Sequence, residues 1–397
     1  NDDASEVVSL PQLRKIVQAA KKNDSILRVA LHRDRYTGTD VDTFVAISSA
    51  EKTAKNMMIF MFRSNNMMDI SNKEFLEGLE DYYRAEERKA EAREKAPQDY
   101  RAEVVGDNEN DWNDRHYGNN NVMVSLKAAE HGTHVSGIIA AVRNNQKGMD
   151  GIADNVKIMT VRAVPDGDEH DKDVALAIRY AVDNGARIIN MSFGKSFSPG
   201  KKWVDEAVQY AASKRVLLVH AAGNDHKNID STDNFPSAVF LNNAQKASNW
   251  ITVGASANGD PEGEGLTANF SNYGQQQVDV FAPGSKIYAT VPGGNEYRSL
   301  DGTSMASPVV AGVAALLLSY FPDLTPEQLK YCLETGSRKP GPKARIPGSE
   351  EETAFSSLCK TGGIVNAYDA VTIAASIAKP ANKSTANPAP AAKPKKS

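Results

Sequence analysis

The sequence contains neither an apolar run of membrane-spanning length nor a concentration of basic residues. One of its longest apolar stretches, residues 311–318, falls far short of the roughly 20 residues that a spanning helix needs, so no transmembrane helix is predicted. The formal net charge is −4 over 397 residues, and without a basic stripe there is no reason to expect a nucleic-acid partner. The chain begins with Asn1 and shows no secretory signal.

Cysteine is also scarce, with only Cys332 and Cys359 present. Both fall in the C-terminal segment. Two buried free thiols are the simpler interpretation, but an even count permits one disulfide bridge, and the sequence leaves both open. The hydrophobic fraction of 41% is typical of a globular chain, and the length accommodates one large domain with appendages or two domains.

The N-terminal part, residues 1–121, is predicted to be a mainly helical insertion or extension. Residues 11–22 have helical periodicity, and the Met-rich run at 56–62 is consistent with a buried strand. Ser71 and Glu74 have the spacing of a capping box, which begins a helix. The charge-rich residues that follow favour a solvated helix face over a partner-binding surface.

Residues 122–378 have an α/β pattern, and residues 379–397 form an Ala/Pro/Lys-rich segment that predicts a flexible tail. Short apolar runs rich in β-branched residues alternate with helical patterns. The predicted strands are residues 156–164, 186–192, 216–222, 251–255 and 278–282, and the helices include 173–184 and 202–214. This alternation predicts a doubly wound parallel sheet with helices on both faces, whose reactive groups gather at the carboxyl ends of the strands.

A histidine motif, His-Gly-Thr-His-Val-Ser-Gly, occupies residues 131–137. A histidine at the exposed start of a helix can serve as a general base, and His131 is the candidate. A metal site with His134 is the rival interpretation. Zinc needs a third ligand and usually a nearby glutamate at a fixed offset, and neither is evident, so no metal site is predicted.

Two further motifs carry polar groups suited to acyl transfer. Gly-Thr-Ser-Met-Ala-Ser-Pro at 302–308 precedes a long apolar helix, so Ser304 lies where a helix N-terminus stabilises negative charge. The alternative is that Thr303 or Ser304 is merely an N-cap. Ala-Ala-Gly-Asn at 221–224 ends a predicted strand, and the Asn224 amide could donate to an oxyanion or simply form a turn.

Together and in this order, the motifs closely resemble the subtilisin-like serine proteases, or subtilases. The resemblance implies that His131 is the catalytic histidine, Ser304 the nucleophile and Asn224 the oxyanion residue. It also implies that Ser192, Phe193 and Gly194, within Asn-Met-Ser-Phe-Gly, bind the substrate backbone along the specificity pocket. The implied function is a serine endopeptidase acting on proteins, and the implied location is secreted or in the cell envelope. The oligomeric state is not implied.

The family's Asp-Ser/Thr-Gly tripeptide, expected before the histidine, is absent from residues 1–130. Three interpretations stay open: the aspartate precedes Asn1, Asp107 is an unusual triad member, or the protein is an inactive subtilase-like binding or scaffold protein. The first also accounts for the non-Met start. Because the polar residues after Asp107 predict an irregular loop, we expect Asp107 to lie beyond hydrogen-bond reach of His131.

No cofactor is predicted. The loop at residues 143–148, Arg-Asn-Asn-Gln-Lys-Gly, resembles a stretch that binds calcium in some relatives, and amide and carbonyl oxygens suit that ion. The loop is one residue longer than the pattern, which favours a plain surface loop.

Overall fold

The computed structural model describes residues 9–65, 67–94, 101–164, 167–260, 265–341 and 343–378. The chain divides into two compact units, Asn1–Gly106 and Asp107–Ser397. This division lies closer to the N-terminus than the boundary predicted at residue 121, because residues 107–121 belong to the second unit. Within that unit Trp112 stacks on Trp203, with ring centroids 5.6 Å apart. The predicted tail, residues 379–397, lies outside the described residues.

The described part of the first unit is helical, as predicted. Its α-helices are α1 (Leu10–Leu31), α2 (Gly38–Thr43), α3 (Ser49–Ser64) and α4 (Asn72–Glu94). The capping box before α4 is confirmed, since the Ser71 N–H donates to the Glu74 carboxylate at 3.2 Å and the Glu74 N–H donates to the Ser71 hydroxyl oxygen at 3.4 Å. The core of this unit includes Leu27, Tyr36 and Phe62, all buried.

The strand expected at residues 56–62 is wrong, because this run lies within α3. Ala54, Met58 and Phe62 are fully buried at intervals of four residues, which is the spacing of one helix face. Ser48 caps the helix by accepting a hydrogen bond from the Glu51 N–H at 3.1 Å. The local cap and the spacing therefore decide the structure of this apolar run.

The second unit is built on a five-stranded sheet. Its strands are β1 (Ile188–Met191), β2 (Leu217–Ala221), β3 (Trp250–Asp260), β4 (Gly265–Thr267) and β5 (Val280–Pro283). Strands β1, β2, β3 and β5 are parallel, and β4 pairs antiparallel with the end of β3. Two antiparallel hairpins join β6 (Ile287–Val291) to β7 (Glu296–Leu300) and β8 (Lys343–Arg345) to β9 (Glu352–Ala354).

Helices cover both faces of this sheet, which confirms the predicted fold class. They are α5 (Leu126–Ala140), α6 (Asp171–Asp183), α7 (Lys201–Ser213), α8 (Thr303–Tyr320), α9 (Pro326–Thr335) and α10 (Ala367–Ile377). Because side chains alternate along a strand, Leu217 and Val219 of β2 pack in the core with α8, α9 and α10, while Leu218 packs in the opposite core with α6 and α7.

The strand expected at residues 156–164 is not formed. The described part of the chain gives this segment no ladder hydrogen bond, and Ile158 and Met159 are 44% and 41% exposed. Apolar and β-branched composition favours an extended conformation, but a strand exists only where a neighbouring strand accepts its hydrogen bonds.

Helix α8 forms the centre of one core. Among the described residues it is the helix whose length and composition would allow it to cross a membrane, and 61% of it is buried inside the protein. Cys332 lies buried in the same core, whereas Cys359 lies in a separate cluster with Phe281 and Phe355. Both thiols are free, so the bridged alternative is not formed.

Candidate active site

Ser304 lies in the first turn of α8, half-buried. The N-cap position is taken by Gly302, whose φ of 150° suits a residue without a side chain, and the helix has no side-chain cap. Neither Thr303 nor Ser304 is therefore an N-cap. The Ser304 hydroxyl donates weakly to the Ser192 carbonyl at 3.3 Å. First-turn N–H groups have no intrahelical acceptor, so the Ser304 N–H is available to an anion at this helix end.

The Asn224 carboxamide is oriented by Thr303. Its Oδ1 accepts hydrogen bonds from the Thr303 N–H and the Thr303 hydroxyl, both at 2.9 Å. The Thr303 hydroxyl oxygen accepts in turn from the Gly223 N–H at 3.1 Å, so its own proton is directed to Asn224. With Oδ1 fixed in this way, the donor Nδ2 is the free end of the amide.

The turn that follows β2 is held by Asn272 instead of Asn224. Asn272 Nδ2 donates to the Ala222 carbonyl at 2.9 Å, and its Oδ1 accepts from the N–H groups of Asp225 and Lys227, both at 2.9 Å. The side chain of Asn224 is not needed to close this turn. Asn272 was missed in the sequence, because it lies far from the turn along the chain and carries no local motif.

Ser192 connects the predicted substrate-binding strand to the serine helix. Its hydroxyl donates to the Ser304 carbonyl at 2.9 Å, accepts from Asn190 Nδ2 at 2.9 Å and lies 2.8 Å from the Ser307 hydroxyl. These contacts use the full hydrogen-bonding capacity of one hydroxyl group. Ser307 was also missed, although its position three residues after Ser304 places both on one side of the helix.

His131 lies on α5, which packs against both α8 and β6. The helix begins at Leu126 with Ser125 as its cap, so His131 is in the second turn and not at the start, as the sequence had suggested. A Cβ placed on Gly137 would lie 2.1 Å from the Thr290 hydroxyl, so this glycine allows β6 to approach the helix closely. The close contact holds α5 against β6.

His134 serves a structural role on the same helix. It is fully buried, and its Nε2 donates to the Arg298 carbonyl at 3.0 Å. The Arg298 guanidinium also pairs with Glu130 at 3.0 Å. Within the part of the chain that the structure describes, no three side chains of the metal-binding types gather as a metal site would require. His134 therefore joins α5 to β7.

The electrostatic surroundings favour a neutral imidazole at His131. The protein around the ring and the neighbouring His134 both lower the pKa of His131 below its ordinary value, although part of the side chain is open to solvent. A neutral ring has a free acceptor nitrogen, which a general base needs. No described side chain makes a hydrogen bond with His131.

The Asp107 carboxylate forms an ion pair with Lys172 and not with His131. Its Oδ2 pairs with Lys172 Nζ at 2.7 Å, and the two side chains are 1% and 0% exposed. Lys172 also donates to the Asn108 carbonyl at 2.7 Å. The preceding residues, Arg101–Val105, form one π-helical turn instead of a strand. The structure gives no hydrogen bond between Asp107 and His131, in agreement with the sequence expectation.

Two side-chain oxygens, one in the loop compared with a calcium site and one just after it, accept hydrogen bonds from the loop's own backbone. Asp150 Oδ1 accepts from the Asn144 N–H at 3.0 Å, and Asn145 Oδ1 accepts from the Lys147 N–H at 2.9 Å. Asn144 and Gln146 adopt positive φ values of 59°. These contacts are those of a tight surface loop.

Comparison with known proteins gives consistent matches. The family model described as the subtilase family, peptidase S8, matches residues 34–355. A thermophilic serine proteinase of Bacillus sp. (strain AK1) is 44% identical over 190 residues, which cover 48% of this chain and 42% of that protein. Thermitase of Thermoactinomyces vulgaris is 37% identical over 242 residues, covering 61% of this chain and 74% of that protein.

An extracellular protease of Xanthomonas campestris pv. campestris is 36% identical over 286 residues, which cover 67% of this chain and 44% of that protein. The chain thus spans less than half the length of two of these three relatives.

Proposed function

Because this chain belongs to the subtilase family, we propose that it is a serine endopeptidase that hydrolyses protein substrates through an acyl-enzyme. The Ser304 hydroxyl attacks the peptide carbonyl, and His131 takes its proton and later passes it to the leaving amine. The Ser304 N–H and Asn224 Nδ2 hold the oxyanion of the tetrahedral intermediate. The substrate backbone lies beside Ser192, Phe193 and Gly194 as an added strand.

The observation that carries this proposal is the orientation of the Asn224 amide. Two donors on Thr303 hold its oxygen at 2.9 Å. The donor end is left without a partner in the described chain, and Thr303, which holds the oxygen end, directly precedes the candidate nucleophile Ser304. An oxyanion site needs a donor that is fixed in place before the charge develops, since reorganisation during the reaction would cost free energy.

One observation favours the second candidate, an inactive subtilase-like binding protein. His131 has no hydrogen-bonded carboxylate among the described residues, and such a group holds the imidazole in the productive tautomer in a Ser-His-Asp triad. An inactive protein would keep the peptide groove without turnover.

Reaction with a fluorophosphonate probe separates the two candidates. We expect the protein to be labelled at Ser304 and to hydrolyse casein, while Ser304→Ala abolishes both without changing the unfolding temperature. The loss of kcat in a subtilisin lacking its nucleophile is about 10⁶-fold, a value from that enzyme and not worked out from this structure. Ser319→Ala is the matched control, because Ser319 is an exposed serine on the same helix. Unlabelled but folded protein would favour the inactive candidate.

We also propose that the protein acts outside the cytoplasm. The support is the relative named as an extracellular protease. Immunodetection in culture medium, envelope and cytoplasmic fractions of the source cells tests this, and recovery in the cytoplasmic fraction alone would contradict it.

A further inference from the structure

The predicted substrate-binding strand, residues 192–194, is held along one edge by hydrogen bonds to its backbone. His220 Nε2 lies 2.8 Å from the Phe193 carbonyl oxygen, and Lys195 exchanges two backbone hydrogen bonds, of 2.8 and 2.9 Å, with Phe235. Alternate residues of an extended segment present their carbonyl groups to the same edge, so the other two residues of the strand face the opposite edge. The hydroxyl of the candidate nucleophile reaches a strand carbonyl there. This opposite edge is therefore the one that an added substrate strand would use.

Lys195 directly follows this strand, and its side chain is buried in a polar cluster. The ammonium donates to the Glu169 carbonyl at 2.7 Å and pairs with Asp171 at 2.9 Å, and the side chains of this pair are 8% and 7% exposed. Asp171 also accepts hydrogen bonds from the Ser198 hydroxyl and the Gly200 N–H, both at 2.7 Å. Lys195 therefore joins the end of the substrate-binding strand to the first residue of α6.

Glu169 brings a second carboxyl group to this cluster, but with fewer donors. The residue is 3% exposed, and its Oε1 is buried with no hydrogen-bond partner in the described chain. Asp171 receives hydrogen bonds from three donors, as an ionised carboxylate requires. Burial raises the pKa of Glu169 from its ordinary value to about 7, although the nearby Lys195 ammonium lowers it. Glu169 therefore changes its charge near neutral pH, inside the cluster that holds Lys195.

The charges around Glu169 are mainly negative. The exposed Asp168 and the buried Asp171 both raise the pKa of Glu169, and Lys195 opposes them. The other titratable groups of this short segment are paired with acidic residues of the preceding segment, His170 with Glu109 and Lys172 with Asp107. When Glu169 loses its proton, the new buried charge therefore competes with Asp171 for one ammonium group, and both neighbouring carboxylates repel it.

We propose that Lys195 is a positioning residue for the substrate-binding strand, and that ionisation of Glu169 draws it away from Asp171, so that substrate binding weakens as the pH rises. The inference rests on the proposed function, which places the substrate beside residues 192–194. Neutral Glu169 leaves Lys195 in the contacts that fix the end of the strand. A strand that is ordered in advance binds more tightly than one that must be ordered on binding. Because linkage is reciprocal, bound substrate in turn favours the protonated form of Glu169.

Binding of fluorescein-labelled casein to the Ser304→Ala variant, followed by anisotropy, tests the proposal without requiring turnover. We expect the affinity to fall about fivefold between pH 6 and pH 8, at the low end of the couplings found between two sites. Glu169→Gln supplies a neutral side chain of the same shape, so in this background it should bind casein as tightly at pH 8 as at pH 6. Both proteins bind the same casein, so the comparison cancels the titration of the casein itself.

Lys195→Met should bind casein about tenfold more weakly at both pH values, because the strand must then be ordered on binding. Its pH dependence should disappear, since no ammonium is left for Glu169 to move. Lys202→Met and Asp168→Asn are the matched controls, since both residues are exposed, and both controls should keep the affinity and its pH dependence. In the active protein, Lys195→Met should raise KM and leave kcat nearly unchanged. Unfolding temperatures show that each variant is folded, and if Lys195→Met is not, the Glu169→Gln comparison decides.

An unchanged pH dependence in Glu169→Gln would overturn the inference, and so would a folded Lys195→Met variant that binds casein as tightly as its parent. No measurable binding of casein by the folded parent would overturn it as well. If the wild-type protein fails to react with the fluorophosphonate but the variants alter casein binding as expected, the proposed hydrolysis fails and the positioning role stands. If the wild-type protein is labelled and hydrolyses casein while both variants bind like the parent, hydrolysis stands and the positioning role fails.

Discussion

Replacing Asp107 by asparagine removes one charge from a buried ion pair while keeping the shape of the side chain. Lys172 Nζ lies 2.7 Å from Asp107 Oδ2, and both side chains are almost completely excluded from solvent. Removing one partner of such a pair leaves an uncompensated buried charge, which costs about 3–5 kcal/mol. We expect Asp107→Asn to lose stability of this size, with a fall in Tm of roughly 5–8 °C for a unit of this length.

Urea unfolding measures the free energy of unfolding of each variant. Titration with the fluorophosphonate measures the concentration of reactive Ser304, so that activity is expressed per active molecule. That specific activity should stay within about twofold of wild type, because Asp107 orients Lys172 and not His131. Asp111→Asn is the matched control, since Asp111 is an exposed aspartate in the same segment. The double variant Asp107→Leu with Lys172→Met should recover most of the lost stability, because it removes both buried charges.

A different outcome would refute this reasoning. Loss of the orienting carboxylate of a serine-protease triad lowers kcat by about 10⁴-fold. If Asp107→Asn loses activity on that scale at unchanged stability, then Asp107 is the triad carboxylate in the active protein.

Three further predictions concern other parts of the second unit. Asn224→Ala should lower kcat by about 10²–10³, the range known for the equivalent asparagine of a subtilisin, at nearly constant KM; a higher KM at constant kcat would instead mark a binding residue. The folded-state pKa of His220 is about 4, below its ordinary 6.5. The unfolded chain therefore takes up the proton at a higher pH than the folded protein does. The stability that His220 contributes is fully present above pH 6.5, and about 3 kcal/mol of it is lost as the pH falls to 4. Urea unfolding at a series of pH values should show this fall in the free energy of unfolding in wild type and a smaller fall in His220→Asn. Equal falls in the two proteins would contradict the prediction. Dithiothreitol should leave the Tm unchanged, and Cys332 and Cys359 should react with a thiol reagent only after unfolding, because both are free and buried; a Tm lowered by reductant would indicate a bridge.

The parts of the site that could be predicted from sequence are those set by local chemistry. Ser304 and Asn224 each sit in a short motif whose glycine and neighbouring helix or strand fix the backbone around one polar side chain. The strands around β2 were predictable for a similar reason, since short β-branched runs alternated with amphipathic helices.

The supporting contacts could not be predicted, because they join distant parts of the chain. Ser192 and Ser304 are 112 positions apart, and no sequence pattern near either residue predicts the hydrogen bond between them. Asn272 holds the turn around Asn224 from 45–50 positions away. Short apolar runs are ambiguous for another reason. Residues 56–62 and 156–164 are both compatible with a strand by composition. The cap and the four-residue spacing make the first run a helix, whereas the second forms no strand because no described strand pairs with it.

The fixed orientation of the Asn224 amide determines what deamidation of this residue would do to the site. Asparagine is a thermolabile residue, and deamidation exchanges its NH₂ group for an oxygen that carries negative charge. The two donors of Thr303 would go on holding one oxygen in its present place. The other oxygen would then occupy the former Nδ2 position and repel an oxyanion there. A single deamidation at this exposed position would therefore replace a stabilising donor with a repelling charge while leaving the surrounding fold intact.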